Sequence, residues 1–275
     1  MKTHAVCLPF DSFGSAGASE GAQLLFDGLR EIIADAEEET RPCRTDCYRQ
    51  KVEMTELSFS TEASLSRWRE IARKAIEPIW DKEDFLLWLA GNHLGVAPVY
   101  EALGPDDLVI QFDAHLDIYN LRVHATTPNH GNFILSLSPN RPEIINIGHR
   151  DLFLKPESVQ GHFAATFSAQ EIHSDRKGVL KQVEKLCKKK RRIVVDLDVD
   201  VFDPAYFPAV GYPLPFGLTA AQFLDCVSWL WSKRVCGFCI SEFIPARDQR
   251  ELSQGTLVWL LEWLLLKIHE KKQAE

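Results

Sequence analysis

A three-layer α/β/α fold with a mainly parallel central sheet is predicted by three features of this 275-residue sequence. Short, continuously apolar runs such as FLLWLA (85–90) and LVI (108–110) read as strands buried on both faces, as in a covered parallel sheet. Amphipathic helical segments alternate with them, the order that produces helix layers on both sides. Polar clusters follow several of the runs, where the carboxyl ends of parallel strands form a ligand crevice.

The elements follow in order. Residues 3–10 form a first strand. From residue 17, apolar positions at 22, 25, 29, 32, 33 and 36 give helical spacing, with Ser19 or a nearby glycine as cap. Residues 40–60 read as irregular. SLSRWREIARKAIEPIW (64–80) is a second amphipathic helix with Pro78 near its end. DFLLWLAGNH is a buried strand entering a glycine turn, 94–103 a short helix, and DLVIQFDAH another strand. EIINIGHRD, AATFSA, RRIVVDLDVD and VCGFCISEF continue the strands, with helices between several of them. LVWLLEWLLLKI (257–268) is a largely buried helix, too short to cross a bilayer of about 30 Å. With 45% hydrophobic residues and no repeat or linker, one domain over 1–275 is expected.

Composition excludes some functions. The formal charge of −8 argues against nucleic acid as a partner, and no membrane span is expected. The basic run KKKRR (188–192) reads as the solvated end of a helix. Seven scattered cysteines and an opening that reads as a strand favour a reducing cytoplasm. Cys236 and Cys239 would face opposite sides of a strand, so core packing is the reading of that pair.

The chemistry concentrates in four clusters: GNH (91–93), DAHLD (113–117), DLDVD (196–200) and SE (241–242). Asp113, His115 and Asp117 alternate, so they share one side of an extended chain. With His93, Asp198 and Asp200 they make four carboxylates and two imidazoles, about −4 in all. Two divalent cations would neutralise that charge. Oxygen-rich ligation with some imidazole suits Mn²⁺. Two such ions about 3.5–4 Å apart would share carboxylates and activate a water. Asp196 is either a hydrogen-bonded core acid or a support to the ligands, and Asp203 before Pro204 reads as a turn residue.

These motifs resemble those of the ureohydrolases, the arginase and agmatinase family of the arginase–deacetylase fold. The family's Gly-Gly-Asp-His, Asp-Ala-His-x-Asp, later His-Gly, Asp-Val-Asp-x-x-Asp-Pro and Glu-x-x-Pro correspond to GNH, DAHLD, NHGN, DVDVFDP and SEFIP. The opening FDSFGSAGASEGAQLLFDGLREI and the stretch AYFPAVGYPLPFGLT are similar as well, so the likeness covers nearly the whole chain. It implies an arginase-like fold holding two Mn²⁺ per chain, with Asp113 and Asp198 bridging, His93 and Asp117 completing one site, and His115 and Asp200 the other. It further implies a proton-shuttle role for His130 and a guanidinium-pairing role for Glu242, a pairing that two parallel hydrogen bonds favour. Asp117 would carry a proton to the leaving amine, and the products would be urea and an amine. Homo-oligomers are common in the family.

The departures concern substrate. Asn92 stands where the family has Asp, Tyr119 where arginases have Asn, and Tyr212 where a Thr is usual. His124, Thr126 and Pro128 alter the loop before NHG, and Phe153 and Pro156 fall where arginases hold the α-amino group. Glu242, Tyr119, Thr126 and Tyr212 are therefore the candidate substrate contacts. Free L-arginine would lack head-group partners, which is costly in a pocket. The expected substrate is a decarboxylated or otherwise modified guanidine, agmatine-like, or an arginine side chain in a peptide. Two other readings compete. A single-metal deacetylase of the same fold would not need His93 and Asp117, and a non-catalytic metal-binding protein would not need His130 and Glu242.

Overall fold

The computed structural model describes residues 1–59, 66–122 and 127–270. Among them eight strands form one sheet: β1 (Thr3–Leu8), β2 (Val52–Glu56), β3 (Phe85–Ala90), β4 (Leu108–Phe112), β5 (Glu143–His149), β6 (Ala165–Ser168), β7 (Ile193–Asp198) and β8 (Val235–Ser241). Their order is β2-β1-β3-β8-β7-β4-β5-β6, and every pairing is parallel. Strands β3, β4 and β7 are buried at every position, as continuous apolar runs require in a sheet covered on both sides.

Alternate side chains of each strand feed two apolar layers. Ala5, Leu87 and Leu89 pack on one side beneath α1 (Ala18–Glu38), and Val6, Leu86 and Trp88 on the other beneath α2 (Trp68–Asp81). The short α3 (Ala97–Glu101) joins α2's layer, and α4 (Pro156–Val159) follows β5. The layer of α1 also receives α5 (Ala169–Cys187), α6 (Ala220–Leu230) and α7 (Leu252–His269). Among the described residues no helix is long and apolar enough to cross a membrane.

Three local expectations are corrected. Residues 52–56 are not irregular but form edge strand β2, which pairs with β1 alone and leaves Glu53, Thr55 and Glu56 exposed. An edge strand covered on one face lacks the apolar run that betrays a central one. Helix α1 starts at one of the expected glycines: Gly17 is its left-handed N-cap (φ 89°), and having no side chain it leaves the capping bonds to Asp11. Asp11 Oδ2 accepts from Gly17 N–H, Ser19 N–H and Ser19 Oγ–H. Cys236 and Cys239 pack against the same apolar layer, because a register shift opposite Ile193 and Val194 adds a residue to β8 there. Both are free thiols pushed up by burial, so the packing reading of the pair stands.

The basic run is not simply solvated. Arg191 and Arg192 both donate to the fully buried carboxylate of Asp107 at the start of β4, and Lys190 pairs with Glu143 at 2.9 Å. Burial alone would raise Asp107, but the two guanidiniums and the Gly104 N–H outweigh it and bring the carboxyl down to about 2. A carboxyl lowered in the folded state stabilises fully above its unfolded value near 3.8 and loses that contribution as pH falls toward 2. Asp107→Asn should therefore cost on the order of 2 kcal/mol at pH 7 and almost nothing at pH 2. Urea denaturation of both proteins across that range checks it, and a pH-independent difference would refute it.

Candidate metal centre and substrate cavity

The polar clusters converge at the carboxyl ends of β3, β8, β7 and β4, four neighbours in the sheet. Each strand delivers its group by ending where it does. After β3, Gly91 allows a close approach to the Phe10 carbonyl, and the chain turns into a 3₁₀ segment that starts with His93. After β4, Asp113 Oδ1 accepts the His115 N–H at 2.6 Å, and Asp117 takes a left-handed conformation (φ 49°). After β7, Asp198 Oδ1 caps the next turn by accepting from Asp200 N–H at 2.9 Å. After β8, Glu242 is again left-handed (φ 69°). Left-handed acidic residues are strained, and strain of this kind concentrates at functional sites.

The six sequence-predicted ligands lie together. His93 Nδ1 faces Asp117 Oδ2 at 2.8 Å, Asp198 Oδ2 at 3.2 Å and Asp113 Oδ2 at 3.3 Å. His115 Nδ1 faces Asp200 Oδ2 at 2.8 Å and Asp113 Oδ1 at 3.8 Å. Two groups with metal-ligand spacing result, His93–Asp113–Asp198 and Asp113–His115–Asp200, and Asp113 belongs to both. His93 Nδ1 and Asp117 Oδ2 are buried and close yet not aligned as a hydrogen bond, and each is without another partner. Two buried polar atoms that face one point without bonding to each other are what a shared cation requires.

The electrostatics carry the same crowding. Burial, with Asp117 and Asp200 adding to it, lifts Asp113 to about 7, and burial with Asp200 and Asp113 lifts Asp198 well above the carboxylate range. Asp200 goes the other way: burial opposes it, but His115 and the Ala114 N–H prevail and bring it to about 2. His115 rises to about 10 because Asp200 outweighs its burial.

A cavity of about 750 Å³ opens onto the cluster. Asp117, Asp198, Asp200 and His115 line its floor, and Phe13, Tyr119, Leu121, Asn129, His130 and Tyr212 its walls. The predicted contacts Tyr119 and Tyr212 are thus at the cavity. Thr126 and His124 lie outside the described residues. Glu242 does not line the cavity. It is buried beside His130, its Oε1 accepting the His93 N–H at 2.8 Å and standing 3.3 Å from His130 Nδ1. That carboxylate raises His130 above its ordinary value against the effect of burial.

Sequence reasoning missed two groups. Asp151 accepts from Tyr119 Oη–H at 2.8 Å and from the N–H groups of Phe153 and Leu154, so the acid nearest the expected head-group region is already engaged. Phe13, left-handed (φ 61°) and more than half exposed, forms part of the cavity wall. The RDLF spacing hinted at the first as an Asx turn, whereas nothing local marks Phe13.

Known proteins bear on this geometry. Proclavaminate amidinohydrolase of Streptomyces clavuligerus is 31% identical over 174 residues, 59% of this chain and 55% of that protein. N(1)-aminopropylagmatine ureohydrolase of Thermus thermophilus is 29% identical over 184 residues, 64% of this chain and 60% of that protein. The chain thus spans little more than half the length of these curated relatives. The crystal structure of arginase from Bacillus subtilis superposes over 100% of both chains with a TM-score of 0.78 at 19% identity, a likeness of fold. The model of the arginase family matches residues 2–266, and the chain belongs to that family.

Proposed function

We propose that the protein is a dinuclear, Mn²⁺-dependent hydrolase of a guanidino group, releasing urea and an amine. The observation that carries it is the pair of ligand clusters joined through Asp113. His93, Asp113, Asp117 and Asp198 would hold one cation, and Asp113, His115, Asp198 and Asp200 the other. No thiol belongs to either cluster, and an oxygen-rich donor set suits Mn²⁺. Bound cations would lower the pKa of water and supply hydroxide near neutral pH.

The chain's own residues do the rest. Asp117, on the cavity floor, takes the proton destined for the leaving amine. His130, one-quarter exposed on the wall, exchanges protons with solvent. Glu242 is the acid assigned to the guanidinium, although it stands behind His130 and not on the cavity wall, so a direct pair needs the substrate to reach past that ring. Because it stands behind His130, it serves a second end, holding that imidazole in place. Glu242→Gln distinguishes the two: a rise in KM marks guanidinium pairing, a fall in kcat alone marks orientation of His130.

The substrate is a guanidine with no free α-ammonium. The acids that line the cavity all belong to the metal cluster, and Asp151 is taken by Tyr119. Both curated relatives are named for substrates other than free arginine. Agmatine-like guanidines and arginine side chains within peptides are the candidates. Mn²⁺ counted per chain, followed by urea release from arginine, agmatine, guanidinobutyrate and arginine-containing peptides, tests the whole reading. Two ions and a best substrate exceeding free arginine by about 10–100-fold are expected, the equivalent of an unpaired buried ammonium. Two ions without urea would sink the guanidine assignment, and a single ion would favour a deacetylase. A cytoplasmic, homo-oligomeric enzyme acting as one domain completes the proposal, with light scattering as the check on assembly.

A further inference from the structure

Asp196 has no part in either ligand group, yet it is completely buried in the centre of the sheet. Its strand partners are Gln111 on one side and Cys239 on the other, and no Lys or Arg among the described residues pairs with it. A buried carboxylate without a cationic partner is expensive. Its Oδ2 accepts two hydrogen bonds, from His93 Nε2 at 2.9 Å and from Tyr100 Oη–H at 2.7 Å. Oδ1 is buried with no partner. Phe133 closes the arrangement by meeting the rings of both His93 and Tyr100 edge-on, at 5.0 and 5.5 Å.

We infer that Asp196, braced by Tyr100, is the positioning residue that fixes His93 for cation binding. The inference rests on the metal reading above. With Nε2–H donated to Asp196, the lone pair of His93 is on Nδ1, the atom that faces Asp113, Asp117 and Asp198. The hydrogen bond sets the tautomer, Phe133 and Tyr100 set the ring plane, and the carboxylate charge makes the imidazole a better donor. Helix α3 supplies Tyr100 to this carboxylate.

The two cation sites are therefore unequal. His115 is one-fifth exposed, and the carboxylates it meets, Asp200 and Asp113, both face Nδ1 as members of the cluster, with no carboxylate on its Nε2 among the described residues. The His93 site should bind its ion more tightly, and the difference should reside in Asp196.

Titration of the metal-free chain with Mn²⁺, with free ion counted by electron paramagnetic resonance, tests this. Wild type should show two ions of different affinity. Asp196→Asn keeps an acceptor but not the charge, and should weaken the tighter ion by about 10–100-fold while leaving the other within about threefold. Tyr100→Phe, which removes only the brace, should weaken the same ion by about fivefold. This milder variant carries the test if the first fails to fold. A core acid of merely structural use would lower the thermal midpoint of the metal-free protein and weaken both ions alike, and that result overturns the inference. So does a wild-type titration in which both ions bind normally and neither variant changes either. A wild type that takes up no Mn²⁺ brings down the metal reading itself, and the inference with it.

Discussion

Asp113→Asn is expected to release urea at least about a thousandfold more slowly than wild type, a loss of roughly 4 kcal/mol in the barrier. Asp113 is the one residue common to both ligand groups, with Oδ2 toward His93 and Oδ1 toward His115. An amide keeps the shape, the Gln111 neighbour and one oxygen, but not the charge that holds two cations together. Stability should move in the opposite direction. Three other carboxylates share this buried space, so without metal the substitution relieves repulsion, and the thermal midpoint in chelator should hold or rise. Adding Mn²⁺ at a hundred times its dissociation constant should stabilise wild type by about 2.7 kcal/mol and the variant by little. Thermal scans with chelator and with Mn²⁺ give both readings. Equal stabilisation of the two proteins by Mn²⁺ would show that Asp113 is no ligand.

Gly91→Ala should destabilise the fold by about 3 kcal/mol, the upper end of what overpacking costs. A Cβ on Gly91 would collide with the carbonyl oxygen and carbon of Phe10, both backbone atoms, so no side chain can swing aside. The same glycine donates its N–H to Leu8 O at 3.0 Å and accepts from Glu242 N–H at 2.7 Å, joining the ends of β1, β3 and β8. Pushing it out should also displace His93, two residues on, and weaken Mn²⁺ binding. Gly255→Ala, in α7 with nothing within 4 Å of the added carbon, is the control and should gain up to about 1 kcal/mol. Chemical denaturation of the three proteins settles it. A loss below about 1 kcal/mol for Gly91→Ala would mean that the close approach has slack.

What the sequence discloses depends on how local each feature is. The runs at 85–90 and 108–112 announce central strands because both faces are buried. Asp113, His115 and Asp117 announce a site as three ligand-type residues just past a strand, but not through the strand period: β4 ends at Phe112, and the turn beyond it, with Asp117 left-handed, brings them together. β2 escapes notice because an edge strand need be apolar on one face only. The bulge at Cys236 depends on how β8 pairs with β7, a matter of register that composition does not encode. Long-range polar pairs are hidden for the same reason. Asp107 finds its arginines 84 and 85 residues away, and Asp196 finds Tyr100 at a distance of 96. Asp196 was legible as an acid out of place, but only the fold shows which ring it holds. Glu242 was legible as a motif residue, while its position behind His130 was not.

The place of β8 has a consequence for how the molecule comes into being. It is the last strand among the described residues, yet it lies in the middle of the sheet, between β3 and β7. Without it the other strands divide into two part-sheets, β2-β1-β3 and β7-β4-β5-β6, with an unfilled slot between them. His93 hangs from one part and the aspartates from the other, so neither part alone can gather the six side chains. The six side chains can gather only when β8 fills the slot, pairing with β3 over Gly237–Ile240 and with β7 over Val235–Ser241. Closing a gap between such distant segments is slow. While the slot is open, β3 and β7 each present an unpaired strand edge, the feature that invites mispairing with other chains.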